Sequence, residues 1–149
     1  MYTTLNEIRK HGPCESGWRE LLAHLGKTAP DDERLSIATV IDSNGLDDAL
    51  WCLRAVSGHD REIRLFAVWC ARQVQHLMTD PRSIAALDVS ERFANGVAST
   101  EELAAAGEAA EAAAASAAWA AAGHAAEAAA WAAQETELRL IISLCEVPQ

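Results

Sequence analysis

Basic side chains are all but missing from the last third of the chain. Residues 101–149 contain Arg139 alone against eight acids, a balance of −7, whereas residues 1–100 carry 11 Lys and Arg against 14 Asp and Glu. Neutralising a phosphate backbone or an anionic lipid surface takes clustered Lys and Arg, so this composition opposes both nucleic acid and membrane as direct partners. Long apolar runs are missing as well. The Ala-rich stretch is weakly apolar and is interrupted by Glu108, Glu111, His124 and Glu127, unlike a membrane span, and Met1 to Glu7 lack the basic and apolar regions of a signal peptide. No Cys-x-x-Cys pair occurs: Cys14, Cys52, Cys70 and Cys145 are widely separated, mostly in apolar helical contexts, and read as reduced core residues of a cytoplasmic protein. A Gly-rich phosphate loop and a Cys-His-acid nucleophile pattern are also lacking. The expectation is a protein that is not an enzyme and carries no cofactor.

What the chain does have is alanine: 21 of the 30 residues from Ala104 to Ala133. Alanine loses no side-chain entropy in a helix, so this segment is helical almost regardless of its surroundings. The rest also reads as helix, and no alternating β pattern is bounded by turns. Thr4-x-x-Glu7 and Ser99-x-x-Glu102 are capping boxes, and Asp80-Pro81 is an N-cap followed by proline at the first helical position. Gly12, Gly26, Gly45, Gly58 and Gly96 mark helix ends. The second helix, from about Ser16 to Leu25, places Trp18, Leu21, Leu22 and Leu25 on one face. Asp31-Asp32-Glu33 open a third helix, and Asp47 and Asp48 a fourth. The fifth is the expected core helix, with Ile63, Phe66, Ala67, Cys70, Val74 and Leu77 in one stripe.

The reading is therefore an all-α fold in one helical domain, 1–149: an N-terminal bundle of short helices over 1–98, then an Ala-rich, acidic, antiparallel helical pair over 99–149. An unbroken helix from Ser99 to Leu144 would be about 65–70 Å long. A compact chain of this size has a radius of gyration near ~15 Å. A reversal near Gly123 reconciles the two. At 100° per residue, Glu108, Glu111, Ser116 and Trp119 share an arc, and His124, Glu127, Trp131, Gln134, Glu135 and Leu138 share another. The smooth Ala faces opposite should form the seam between the two helices.

Three constellations invite chemistry. His59-Asp60 is the adjacent pair that supplies two metal ligands in helical phosphohydrolases of the His-Asp type, but Asp60 serves equally as a helix N-cap. Asp42 to Asp48 superficially resembles a calcium loop, yet its glycine is fourth instead of sixth, so a corner between helices is the simpler reading and no metal site is assigned. Trp119 and Trp131, flanked by acids on otherwise bare helices, either pack on the N-terminal bundle, as buried aromatics more often do, or are anchors for a partner.

The runs Cys14-Glu-Ser-Gly-Trp18-Arg-Glu-Leu-Leu, Ile41-Asp-Ser-Asn-Gly-Leu-Asp-Asp-Ala-Leu-Trp51 and Glu91-Arg-Phe-Ala-Asn-Gly96, continuing through Glu101-Glu-Leu-Ala-Ala-Ala, resemble small Ala/Trp-rich helical proteins of bacteria and temperate phages. These overlap the immunity-protein families associated with polymorphic toxins. The resemblance implies an all-helical fold and a setting of microbial conflict, without a catalytic motif to transfer. The leading expectation is a non-enzymatic inhibitor of immunity or phage anti-defence type, whose acidic surface occupies a basic site on a nuclease, a nucleic-acid-binding protein or another bacterial defence component. Glu108, Glu111 and Glu127 would supply charge complementarity, and Trp119 and Trp131 buried area. The alternatives are a self-associating structural protein, such as a homodimer, and a metal-dependent phosphohydrolase centred on His59-Asp60.

Overall fold

The computed structural model describes residues 1–117 and 127–146, with side chains for 1–112 and 131–146. In chain order its elements are β1 (Tyr2–Thr3), α1 (Leu5–Lys10), α2 (Glu15–His24), β2 (Leu35–Ser36), α3 (Ile37–Asn44), α4 (Leu46–Cys52), α5 (Asp60–Gln73), α6 (Pro81–Ala94), α7 (Thr100–Ala117) and α8 (Glu127–Glu146). Short 3₁₀ turns at Leu53–Ala55 and Gln75–Leu77 follow α4 and α5. The fold is all-α, with one two-stranded ribbon among the described residues. Contacts divide the chain into two compact units: Met1–His59 together with the chain from Glu135 on, and Asp60–Gln134. This division follows contacts, not the change of composition near residue 98.

The first unit holds most of the buried apolar surface. Met1, Leu5, Ile8, Ile37, Val40, Leu138 and Ile142 are each at most 1% exposed. Leu138 and Ile142 are four residues apart on α8 and so share one face. The antiparallel ribbon pairs Tyr2 with Ser36 and Thr3 with Leu35, and the buried Thr3 hydroxyl donates to the Ala55 carbonyl at 2.6 Å. Two polar ties fasten α8 to this core: Arg139 pairs with Asp42 at 2.7 Å, and Glu146 Oε1 accepts from Ser36 Oγ at 2.7 Å and from the Met1 ammonium at 3.2 Å.

The expected third helix starts later than the acids suggest. Asp31 and Glu33 both pair with Lys27 Nζ at 2.7 Å, and Asp32 accepts from Asn6 Nδ2 at 2.9 Å. Their carboxylates are engaged in holding a loop, β2 follows, and Ser36 caps α3 by accepting from Ala38 N–H. The two-residue strands carry too little pattern to be seen as alternation.

In the second unit α6 packs against both α5 and α7. Arg72 on α5 reaches Asp88 at 2.9 Å and Glu91 at 2.6 Å on α6, and Arg92 on α6 reaches Glu102 on α7 at 3.1 Å. Asp80 caps α6 by accepting from Arg82 N–H, with Pro81 in the first turn. Gly96 ends it at φ 71°, a left-handed conformation that costs glycine nothing, and this lets Val97 N–H bond back to the Arg92 carbonyl at 2.8 Å. The Ser99 box is reciprocal: Glu102 N–H donates to Ser99 Oγ at 3.2 Å, and Ser99 N–H to Glu102 Oε2 at 2.8 Å.

The fifth helix is not the core helix that its stripe suggests. It ends at Gln73, and the chain passes into a 3₁₀ turn that leaves Val74 and Leu77 exposed. Only Phe66 and Val68 on α5 are buried, and Ala67 faces out. The expected reversal near Gly123 lies outside the described residues. Leu103, Ala106, Ala109 and Ala110 form the half-buried side of α7, which packs against α6; the alanine seam expected between the two Ala-rich helices rests on side chains outside the described residues.

Candidate functional site

On α7 the outward arc follows from the inward one. With Leu103, Ala106, Ala109 and Ala110 turned inward, 100° steps carry Glu101, Glu108 and Glu111 to the opposite side, within an arc of about 80°. All three are exposed, as are the intervening Ala104, Ala105, Gly107 and Ala112. Glu108 and Glu111 have no ion pair among the described residues, whereas Glu102, on the side of α7 that faces α6, is held by Arg92 and the Ser99 cap. Trp131 on α8 is 39% exposed, a large aromatic surface left partly in water. The Trp119 and Glu127 side chains lie outside the described residues, so the expected set is represented here by Glu108, Glu111 and Trp131.

A second feature was not singled out from the sequence. In the first unit a cavity of about 100 Å³ opens between α2 and α4, walled by Trp18, Leu21, Val40 and Trp51 and rimmed by Cys14 and Asp48. Local geometry makes it. Cys14 caps α2, with Gly17 N–H donating to its sulfur at 3.4 Å and Ser16 Oγ 3.5 Å away. Asn44 Nδ2 donates both to the Gly17 carbonyl and to Asp48 Oδ2, each at 2.8 Å, which clamps α2 against the start of α4. A Cβ at Gly17 would collide with that carboxylate oxygen, so a larger residue there would have to displace the Asp48 side chain. A glycine inside a helix is the sequence signal that could have revealed this close contact.

The two thiols on this cavity differ in state. Cys14 is exposed, contrary to its expected place in a core, and the Ser16 hydroxyl and Gly17 N–H hold its pKa below that of an ordinary thiol. Cys52 is buried, and desolvation, reinforced by the charge of Asp48, pushes its thiol up to about 12. Burial disfavours the thiolate of one and local donors favour that of the other.

Asp60 is the first residue of α5, where an acid complements the helix dipole, and the acids Asp47 and Asp48 sit in the first turn of α4. Among the described residues no three His, Cys, Asp or Glu side chains converge as a metal site would require. No described helix is long and apolar enough to cross a membrane. No family model matches the chain, and no curated protein or solved structure matches it.

Proposed function

We propose that this protein is a binding module that recognises a basic surface on another protein through the outward face of α7, acting as a non-enzymatic inhibitor of immunity or anti-defence type. The observation that carries the reading is the exposure of Glu108 and Glu111 on one arc of a helix otherwise clothed in alanine. Alanine leaves the carboxylates unscreened by neighbouring side chains and lets a partner approach the helix closely. Carboxylates on such a rim speed encounter with a cationic surface and penalise acidic competitors. The half-exposed Trp131 is the corresponding candidate for contact area. A nuclease or nucleic-acid-binding protein fits as target because its own site is basic.

The test compares affinity capture by the wild type and by a Glu108→Lys, Glu111→Lys variant from bacterial lysates, with circular dichroism to confirm that the variant keeps its helices. A basic protein retained by the wild type, released by high salt and missed by the variant is the expected result. Equal capture by both proteins would remove these two glutamates from the interface.

A further inference from the structure

We infer that the cavity between α2 and α4 is a binding site for a small organic ammonium ion, whose apolar body fills the space between Trp18 and Trp51 and whose charge is met by Asp48. The site is separate from the α7 face and does not depend on it. Its walls are Trp18, Trp51, Leu21 and Val40, so the body of the ligand is apolar. At about 100 Å³ it is smaller than the ~150 Å³ apolar cavity that admits benzene, which limits that body to a few carbons.

The charge of the ligand follows from the polar groups. Asp48 is the ionisable acid among the described lining residues, which include no Lys, Arg or His. The described hydrogen-bond partner of its carboxylate is the neutral amide of Asn44, on Oδ2. That amide is fully used, with both hydrogens donated and its oxygen accepting from Ser43 Oγ at 2.6 Å. Oδ1 therefore remains as an acceptor to which no described Lys, Arg or His side chain donates. Aromatic faces attract cations as well, and Trp51 already holds the Arg54 guanidinium 4.4 Å from its ring centroid. A carboxylate ligand would meet Asp48 with like charge, and a neutral one would leave that charge unpaired.

Isobutylammonium has the required size and charge, with isobutanol as its neutral counterpart. Cys14, exposed on the rim, reports occupancy: its alkylation by iodoacetamide is followed peptide by peptide by mass spectrometry at constant ionic strength. Isobutylammonium is expected to protect Cys14 saturably, and isobutanol to need about tenfold more for the same protection, the cost of one charge-assisted contact. Asp48→Asn preserves the shape and the bond from Asn44, and should erase the difference between the two ligands. Equal protection by both ligands in the wild type, or no protection by either, overturns the proposal. The wild-type comparison stands alone should the variant fail to fold.

Discussion

At the residue scale, the polar groups that matter are few and each has a defined partner. Thr3 is the buried polar residue of the first unit's core, and its hydroxyl satisfies the Ala55 carbonyl. Thr3→Val keeps the shape and removes the donor, so it should cost about 1–3 kcal/mol in urea unfolding, the penalty of an unmet buried group. Asp31, Asp80, Glu101, Glu102 and Glu146 are held below the ordinary carboxylate range, and two of them show the causes. Arg82 holds Asp80 down to about 2, through its side chain and its backbone N–H. Burial raises Glu146, but hydrogen bonds from Ser36 and the Met1 ammonium outweigh it and leave it below the usual glutamate range. A depressed folded pKa means stability that is fully present above the unfolded values near ~4 and lost as pH falls through the folded ones. The urea midpoint should therefore drop progressively from about pH 4 towards pH 2, and Asp80→Asn should flatten the lower end of that curve. The cysteines offer a simpler check. Iodoacetamide should label Cys14 in the native protein and reach Cys52 only after denaturant is added; equal native labelling would contradict the burial of α4.

At the element scale, helix ends were legible and helix faces only partly so. The reciprocal Ser99–Glu102 box, the Asp80 cap and the stop at Gly96 involve groups within a few residues of one another, and each stands where the sequence pattern puts it. The acids of Asp31 to Glu33 carry the same composition as a helix start but are drawn to Lys27 and Asn6 instead. A partner elsewhere in the chain competes with the local cap, and residue type alone does not reveal which prevails. The C-terminal half of α8 gives a direct test of face. Leu138→Ala and Ile142→Ala should each cost about 2–5 kcal/mol in equilibrium unfolding, as buried truncations do. Leu144→Ala, on an exposed position, should change stability by less than about 0.5 kcal/mol.

At the scale of the whole molecule, burial is distributed unevenly. The described apolar core belongs to the first unit, with only Phe66 and Val68 buried in the second. Opening free energy tracks buried apolar contact, so amides of α3 and of α8 around Leu138 to Ile142 should exchange with deuterium slowest, and those of α7 much faster. Uniform exchange across both units would show that the second unit draws its stability from something other than apolar burial. The net charge of −10 acts on the molecule as a whole. Self-repulsion at low ionic strength opposes compaction, so added salt should raise the melting temperature until the ion pairs of Arg72 and Arg139 are themselves screened.

By itself the sequence determined that the protein is helical, where most of its helices begin and end, and which third of it is acidic. Those properties follow from backbone propensity, capping within one turn and the count of charges, none of which needs a distant residue. Tertiary structure decided the pairing of Tyr2 and Thr3 with Ser36 and Leu35, the exposure of Cys14 beside the burial of Cys52, and the inward side of α7. It also made the cavity, since Asn44 brings Gly17 and Asp48 together across a gap in sequence that no periodicity spans. Such contacts depend on how already formed helices meet, and that is settled by the packing of side chains against partners the local pattern does not specify.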